Sequence, residues 1–188
     1  AGGISDSGNV NVNGAASSGG DGSSWDSALR DLQVALAIAR SCPECNEIWI
    51  AEGTYDASNT PGETAWFELD DGLRVYGGFA GEETAVDQRD WRAHRTILRG
   101  TFALDDDPGV LPSAVSSIGT GDQTLLSGVK LEIAVDTGSP SSGHRRFEYS
   151  LLRLVGSSAR FADMLLEGAG ARFIDPVFIA PLAPVVID

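Results

Sequence analysis

The sequence is poor in the residues that usually announce nucleic-acid contact or metal chemistry. Only 13 of its 188 residues are Lys or Arg, against 27 Asp or Glu, for a formal net charge of −14. Such a surface repels phosphate backbones and anionic lipid, so nucleic acid is not an expected partner. No run approaches the roughly 18 consecutive apolar residues that a membrane span needs. Asn59-Thr60-Pro61 is not an acceptor sequon, and no other Asn has the N-x-Ser/Thr spacing for consensus glycosylation. Gly119-Thr120-Gly121 lacks the Lys-Ser or Lys-Thr of a phosphate loop, and there is no Gly-x-Ser-x-Gly elbow.

The only cysteines are Cys42 and Cys45, in Cys42-Pro43-Glu44-Cys45. Three readings are open. A local disulfide suits an exported protein, a zinc half-site would need two more ligands from a chain whose only histidines are His94 and His144, and a redox pair normally opens a helix. The start at Ala1-Gly2-Gly3, without Met, is what signal-peptide removal would leave, which leads to an expectation of an extracellular or cell-surface location.

What is present favours turns and strands. Glycine occurs 23 times, the apolar fraction is 42%, and the length suits one domain. Residues 1–23 are rich in Gly and Ser, with Val10 and Val12 as an alternating apolar pair. Trp25, Ala28, Leu29, Leu32, Ala35, Leu36 and Ala39 recur at three- and four-residue spacing, which predicts a helix over 24–40 ended by Pro43. Beyond it, short apolar runs alternate with turn residues: Glu47 to Ala51, Trp66 to Leu69, Leu73 to Tyr76, Thr96 to Leu98, Thr124 to Leu126, Val129 to Val135, Tyr149 to Val155, Met164 to Leu166 and Phe173 to Ile179. Their spacing suggests stacked units, each too small to bury its own apolar face.

Asp21-Gly22-Ser23-Ser24-Trp25, Glu47-Ile48-Trp49-Ile50-Ala51-Glu52-Gly53-Thr54-Tyr55, Gly72-Leu73-Arg74-Val75-Tyr76-Gly77-Gly78-Phe79-Ala80-Gly81, Arg89-Asp90-Trp91 and Thr96-Ile97-Leu98-Arg99-Gly100 together carry a resemblance over about residues 20–101. They resemble the N-terminal region of bacterial surface proteins with a pectate-lyase-like parallel β-helix. The resemblance implies an all-β fold, a short right-handed parallel β-helix (solenoid) over 47–172 with an N-terminal capping α-helix. Trp25, Leu29, Leu32 and Leu36 would plug its open end, and Gly77, Gly78 and Gly81 would allow tight corners. Residues 105–121 read as an insert without a family counterpart.

Catalytic chemistry is not assembled in this pattern. Asp105, Asp106 and Asp107 read as a solvated loop, with a weak calcium site as the second reading and the only cofactor the chain suggests. Asp70-Asp71-Gly72 reads as a turn. Asp87 with Arg89 and Asp90, and His144-Arg145-Arg146, are the remaining charged clusters, and none shows the spacing of paired catalytic carboxylates.

Residues 173–188 are apolar and punctuated by proline, which suggests an extended strap. It either covers its own domain or docks on a neighbour. The first function expected is therefore a non-enzymatic extracellular structural protein that associates with copies of itself as a surface layer or filament. Val10, Val12, Val177, Phe178, Ile179, Val185, Val186 and Ile187 are the candidate joints. The alternative is a carbohydrate-binding or lyase-like protein for an extracellular glycan, with Trp49, Trp66, Tyr55 and Tyr76 as candidate ring platforms. A fragment of a longer adhesin is the third reading.

Overall fold

The computed structural model describes residues 8–17, 20–59, 65–103, 113–136 and 150–166. Twelve strands and one α-helix lie among them, in the order β1 (Asn9–Val12), α1 (Leu32–Ser41), β2 (Glu47–Ala51), β3 (Gly53–Asp56), β4 (Phe67–Leu69), β5 (Arg74–Phe79), β6 (Thr96–Ala103), β7 (Ser113–Ile118), β8 (Leu125–Ser127), β9 (Val129–Asp136), β10 (Ser150–Val155), β11 (Arg160–Ala162) and β12 (Leu165–Leu166). The first sheet runs β1-β2-β5-β8-β11, the second β3-β6-β9-β12 and the third β4-β7-β10, with every strand pair in them parallel.

Parallel pairing stacks like residues in ladders, which is where the core comes from. Val10, Ile48, Val75 and Leu126 stand in register across the first sheet, and Tyr55, Leu98 and Leu131 across the second. Phe67 pairs with Val115 in the third. All belong to one buried cluster, and α1 contributes Leu32, Ala35 and Leu36 to that same cluster. Each fully buried aliphatic or aromatic side chain there is worth about 1.5–3 kcal/mol.

This arrangement corrects the expected fold class. The chain is not an all-β right-handed parallel β-helix with a separate capping helix. It is a mixed arrangement of three parallel sheets with one helix, and the helix shares the core of the strands. The helix is also shorter than the predicted 24–40. Asp31 caps it, with Oδ1 accepting from the Gln33 amide at 2.8 Å. Ala28 and Leu29, which share the helical spacing, lie outside it. Leu29 bridges Val12 in parallel, donating to the Asn11 carbonyl at 3.0 Å and accepting from the Asn13 amide at 2.7 Å.

Those bonds cover the outer edge of β1, where the Asn11 amide also donates to Gly22 O at 2.9 Å. Carbonyls just after β3 and at and just before β4 are met by α1: Gln33 Nε2 donates to Ala57 O and Trp66 O, both at 3.0 Å, and Arg40 Nη2 to Glu68 O at 3.1 Å. Covered edges cannot recruit a foreign strand. Immediately after α1, Cys42 and Cys45 form a disulfide with Cα atoms 5.3 Å apart.

The 105–121 region is not wholly an insert, because residues 113–118 form β7, between β4 and β10. Its buried hydroxyls are partly reconciled by a closed triangle in which Ser117, Thr120 and Ser157 lie 2.7–3.0 Å apart.

Truncating Leu36, 1% exposed, to alanine is expected to cost about 2–5 kcal/mol in urea unfolding. Val34→Ala, on the same helix but 45% exposed, should stay within about 0.5 kcal/mol of wild type. Equal losses at the two positions would contradict the assignment of the helix face.

Candidate functional site

The segment between β5 and β6, residues 80–95, is fastened to the sheets at several points. Glu83 folds its carboxylate back onto its own loop, accepting from the amides of Ala80 at 2.7 Å, Gly81 at 3.0 Å and Glu82 at 3.0 Å. Burial opposes the charge, but these backbone N–H groups outweigh it and hold the carboxyl below its ordinary pKa. The Glu83 carbonyl accepts from Trp25 Nε1 at 2.8 Å, and Trp25 packs 5.5 Å from Phe79, which stacks on Trp49 at 4.9 Å. Farther along, Asp90 Oδ1 accepts from the Arg92 and Ala93 amides at 3.0 and 3.1 Å, closing a tight turn under Trp91.

Arg89 is the deepest fastening. Its side chain is 12% exposed, and its guanidinium lies 5.3 Å from the Tyr76 ring centroid. Nη1 donates to Gly77 O at 3.0 Å, and Nη2 donates to Ser127 Oγ at 2.9 Å and to Asp163 Oδ2 at 3.4 Å. Burial lowers the Arg89 pKa and Asp163 counters it. One side chain thus ties the loop to β5, to β8 and to the turn after β11.

Two glycines make room for this. Pairing of β2 with β5 shifts register after Ile50, which leaves Gly78 as the extra residue of a bulge with φ +94°. A Cβ there would stand 2.5 Å from Trp91 Cα. At Gly128 a Cβ would overlap Arg89 Nη1.

Trp91 emerges from this anchored loop half-buried, as the one residue among those described that is common to two neighbouring recesses. An open recess of about 480 Å³ has Asp87, Arg89 and Asp163 in its walls. A more enclosed one of about 280 Å³ has Arg92, Arg95 and Lys130. Arg92 carries its guanidinium 4.1 Å from the Trp91 ring centroid. Lys130 Nζ contacts Glu132 at 2.9 Å, and this hydrogen bond leads the causes that hold the Glu132 carboxyl below its ordinary pKa. Four of the chain's 13 cations therefore surround one indole in a strongly acidic protein. An aromatic face flanked by guanidinium, ammonium and carboxylate groups can stack against a ring and hydrogen-bond its substituents, in both donor and acceptor sense.

Of the sequence-derived candidates, the charged cluster Asp87, Arg89 and Asp90 lies in this loop, and the others fall elsewhere. Leu29, Leu32 and Leu36 are in the core, whereas Trp25 precedes the helix and packs on Phe79. Val10 and Val12 are 0% exposed, placed within the chain's own core and not on a surface open to a neighbour. Trp49 and Tyr55 are buried, and burial pushes the Tyr55 hydroxyl up to about 12. Tyr76 lies beneath Arg89, and Trp66 is half-buried beside β4.

The remaining charged candidates divide in two. Asp70 pairs with Arg40 at 2.7 Å, and Asp71 accepts from the Gly121 amide at 2.7 Å, so this pair forms part of a turn. Asp105, Asp106, Asp107, the group at 144–146, Val177, Phe178, Ile179, Val185, Val186 and Ile187 lie outside the described residues. Among the described residues no group of three or more His, Cys, Asp or Glu could hold a metal ion. Lys130 and Asp163 were not singled out by the sequence, whereas the Arg89-Asp90-Trp91 motif and the cluster of Asp87, Arg89 and Asp90 both touched this site.

No family model, curated protein or solved structure matches the chain. No helix among the described residues is long and apolar enough to cross a membrane.

Glu83 gives the loop a pH signature. Because its folded pKa is depressed, its contribution is present above the unfolded value of about 4.3 and lost as pH falls through the folded value. The stability advantage of wild type over Glu83→Gln should be full at neutral pH and shrink below about pH 4 in urea titrations. A difference independent of pH would contradict the charge-based anchoring.

Proposed function

We propose that the protein is an extracellular module that binds a polysaccharide along the surface around Trp91. The observation that carries this reading is a half-buried Trp91, held by an anchored loop between two recesses walled by Arg89, Arg92, Arg95, Lys130, Asp87 and Asp163. Sugar rings offer C–H faces to aromatic rings and hydroxyls to charged side chains, and an open surface admits a chain longer than the site. The disulfide after α1 supports an extracellular setting.

On an array of plant, algal and bacterial polysaccharides, wild type should be retained by at least one class. Trp91→Ala should weaken that binding by tenfold or more, about 1.4 kcal/mol. Retention by none, or equal retention of the variant, would overturn the reading.

A self-associating structural subunit is the second reading. It is favoured by β10, β11 and β12, each the last strand of its sheet and without a partner on its outer side among the described residues. Light scattering coupled to size exclusion should then give a mass that rises with protein concentration, and a constant monomer mass would count against it.

A further inference from the structure

We infer that Asp163 is a positioning residue for the Trp91 surface, acting through Arg89 from the turn between β11 and β12. This deepens the proposed binding reading and rests on it for its functional meaning, although the coupling itself can be measured without any ligand.

Asp163 lies 72 positions beyond Trp91 in sequence, yet it lines the same open recess. It is the single non-glycine residue with a positive φ, 52°, among the described residues. That left-handed conformation is uncommon outside glycine, and aspartate is one of the few side chains that tolerates it. The conformation accompanies a carboxylate that meets two partners at once: Oδ2 accepts from Arg89 Nη2 at 3.4 Å and from Ser127 Oγ at 3.3 Å. Ser127 Oγ in turn accepts from the same Nη2 at 2.9 Å, closing a three-membered polar ring between the loop, β8 and the β11–β12 turn.

Asp163 is also the only acid that forms an ion pair with Arg89 among the described residues. Gly77 O and Ser127 Oγ are neutral acceptors, and a guanidinium that is 12% exposed is costly to leave without a counter-charge. Trp91 lies two positions after Arg89, within the turn that Asp90 caps. Displacing the guanidinium therefore displaces the base of the loop that holds the indole. The other fastenings, at Glu83 and at the His94–Glu52 contact of 3.1 Å, lie farther from Trp91 on either side.

Hydrogen exchange on the full chain tests this, with the strand amides of residues 47–51 as an internal control. Asp163→Gly keeps a backbone suited to positive φ and removes only the carboxylate. It should speed exchange at the Arg92, Ala93 and His94 amides by about tenfold or more while the control strand is unchanged. Asp163→Asn, which keeps an acceptor oxygen and tolerates the same φ, should recover part of that protection. Arg89→Lys should mimic Asp163→Gly, and the double variant should be no faster than Arg89→Lys alone, because one residue acts through the other.

Unchanged loop exchange in Asp163→Gly would overturn the inference. So would acceleration of loop and control strand together, or additive effects in the double variant. Because no saccharide enters the experiment, its failure would leave the binding reading standing, and failure of the binding assay would leave this coupling standing.

Discussion

The candidate site depends on one close approach of backbone to loop. Residues 80–95 can lie against β5 and β8 because Gly78 and Gly128 present no side chain where Trp91 and Arg89 come down. Both have positive φ, +94° and +74°, so a substitution there would meet conformational strain as well as overlap. With the gap open, the Arg89 guanidinium enters between successive strands and finds a carbonyl, a hydroxyl and a carboxylate from three separate parts of the chain. The indole two residues later is then fixed in place instead of sampling solvent, and less ordering remains to be imposed by a ligand.

The surrounding sheets supply the rigidity that this requires. Because all the strand pairs of the three sheets are parallel, each residue stands beside its counterparts in neighbouring strands, so apolar ladders line the core. Along the first sheet the row Asn9, Glu47, Arg74, Leu125 and Arg160 lies in register, with Arg74 and Glu47 in contact at 3.0 Å. The next outward row includes Trp49, Tyr76 and Ser127, and Arg89 bridges the last two. The binding surface is thus an extension of the pairing register, with the loop laid across it.

Legibility in the sequence followed how strongly each segment obeyed a simple pattern. The EIWIA run at Glu47–Ala51 was read with its observed bounds, since β-branched and aromatic residues fill it between turn signals. The helix start was misplaced by eight residues, because Trp25, Ala28 and Leu29 continue the apolar spacing although residues 22–27 form bends and a turn and Leu29 bridges β1. Strands β1 and β7 were missed for the opposite reason: Asn-Val-Asn-Val and Ser-Ala-Val-Ser-Ser-Ile bury their Asn and Ser residues almost as fully as their apolar ones. The all-β expectation failed where α1 proved to share the strands' core. As for the site, Trp91 is an isolated aromatic in a polar stretch, and Asp163 is brought to Arg89 only by the parallel pairing of β8 with β11. Neither relation has any local sequence signature.

The measurement that tests the account most directly is a two-dimensional nitrogen–proton NMR titration of the isotope-labelled protein with a soluble oligosaccharide from the polysaccharide class that retains it. Trp25, Trp49, Trp66 and Trp91 each carry an indole N–H, so the four report separately on four places in the fold. The account predicts that the Trp91 indole and the amides of residues 84–95 and 128–130 shift, while the buried Trp49 indole does not. Shifts centred on Trp66 or on the outer strands β10 and β11, with Trp91 unmoved, would contradict it.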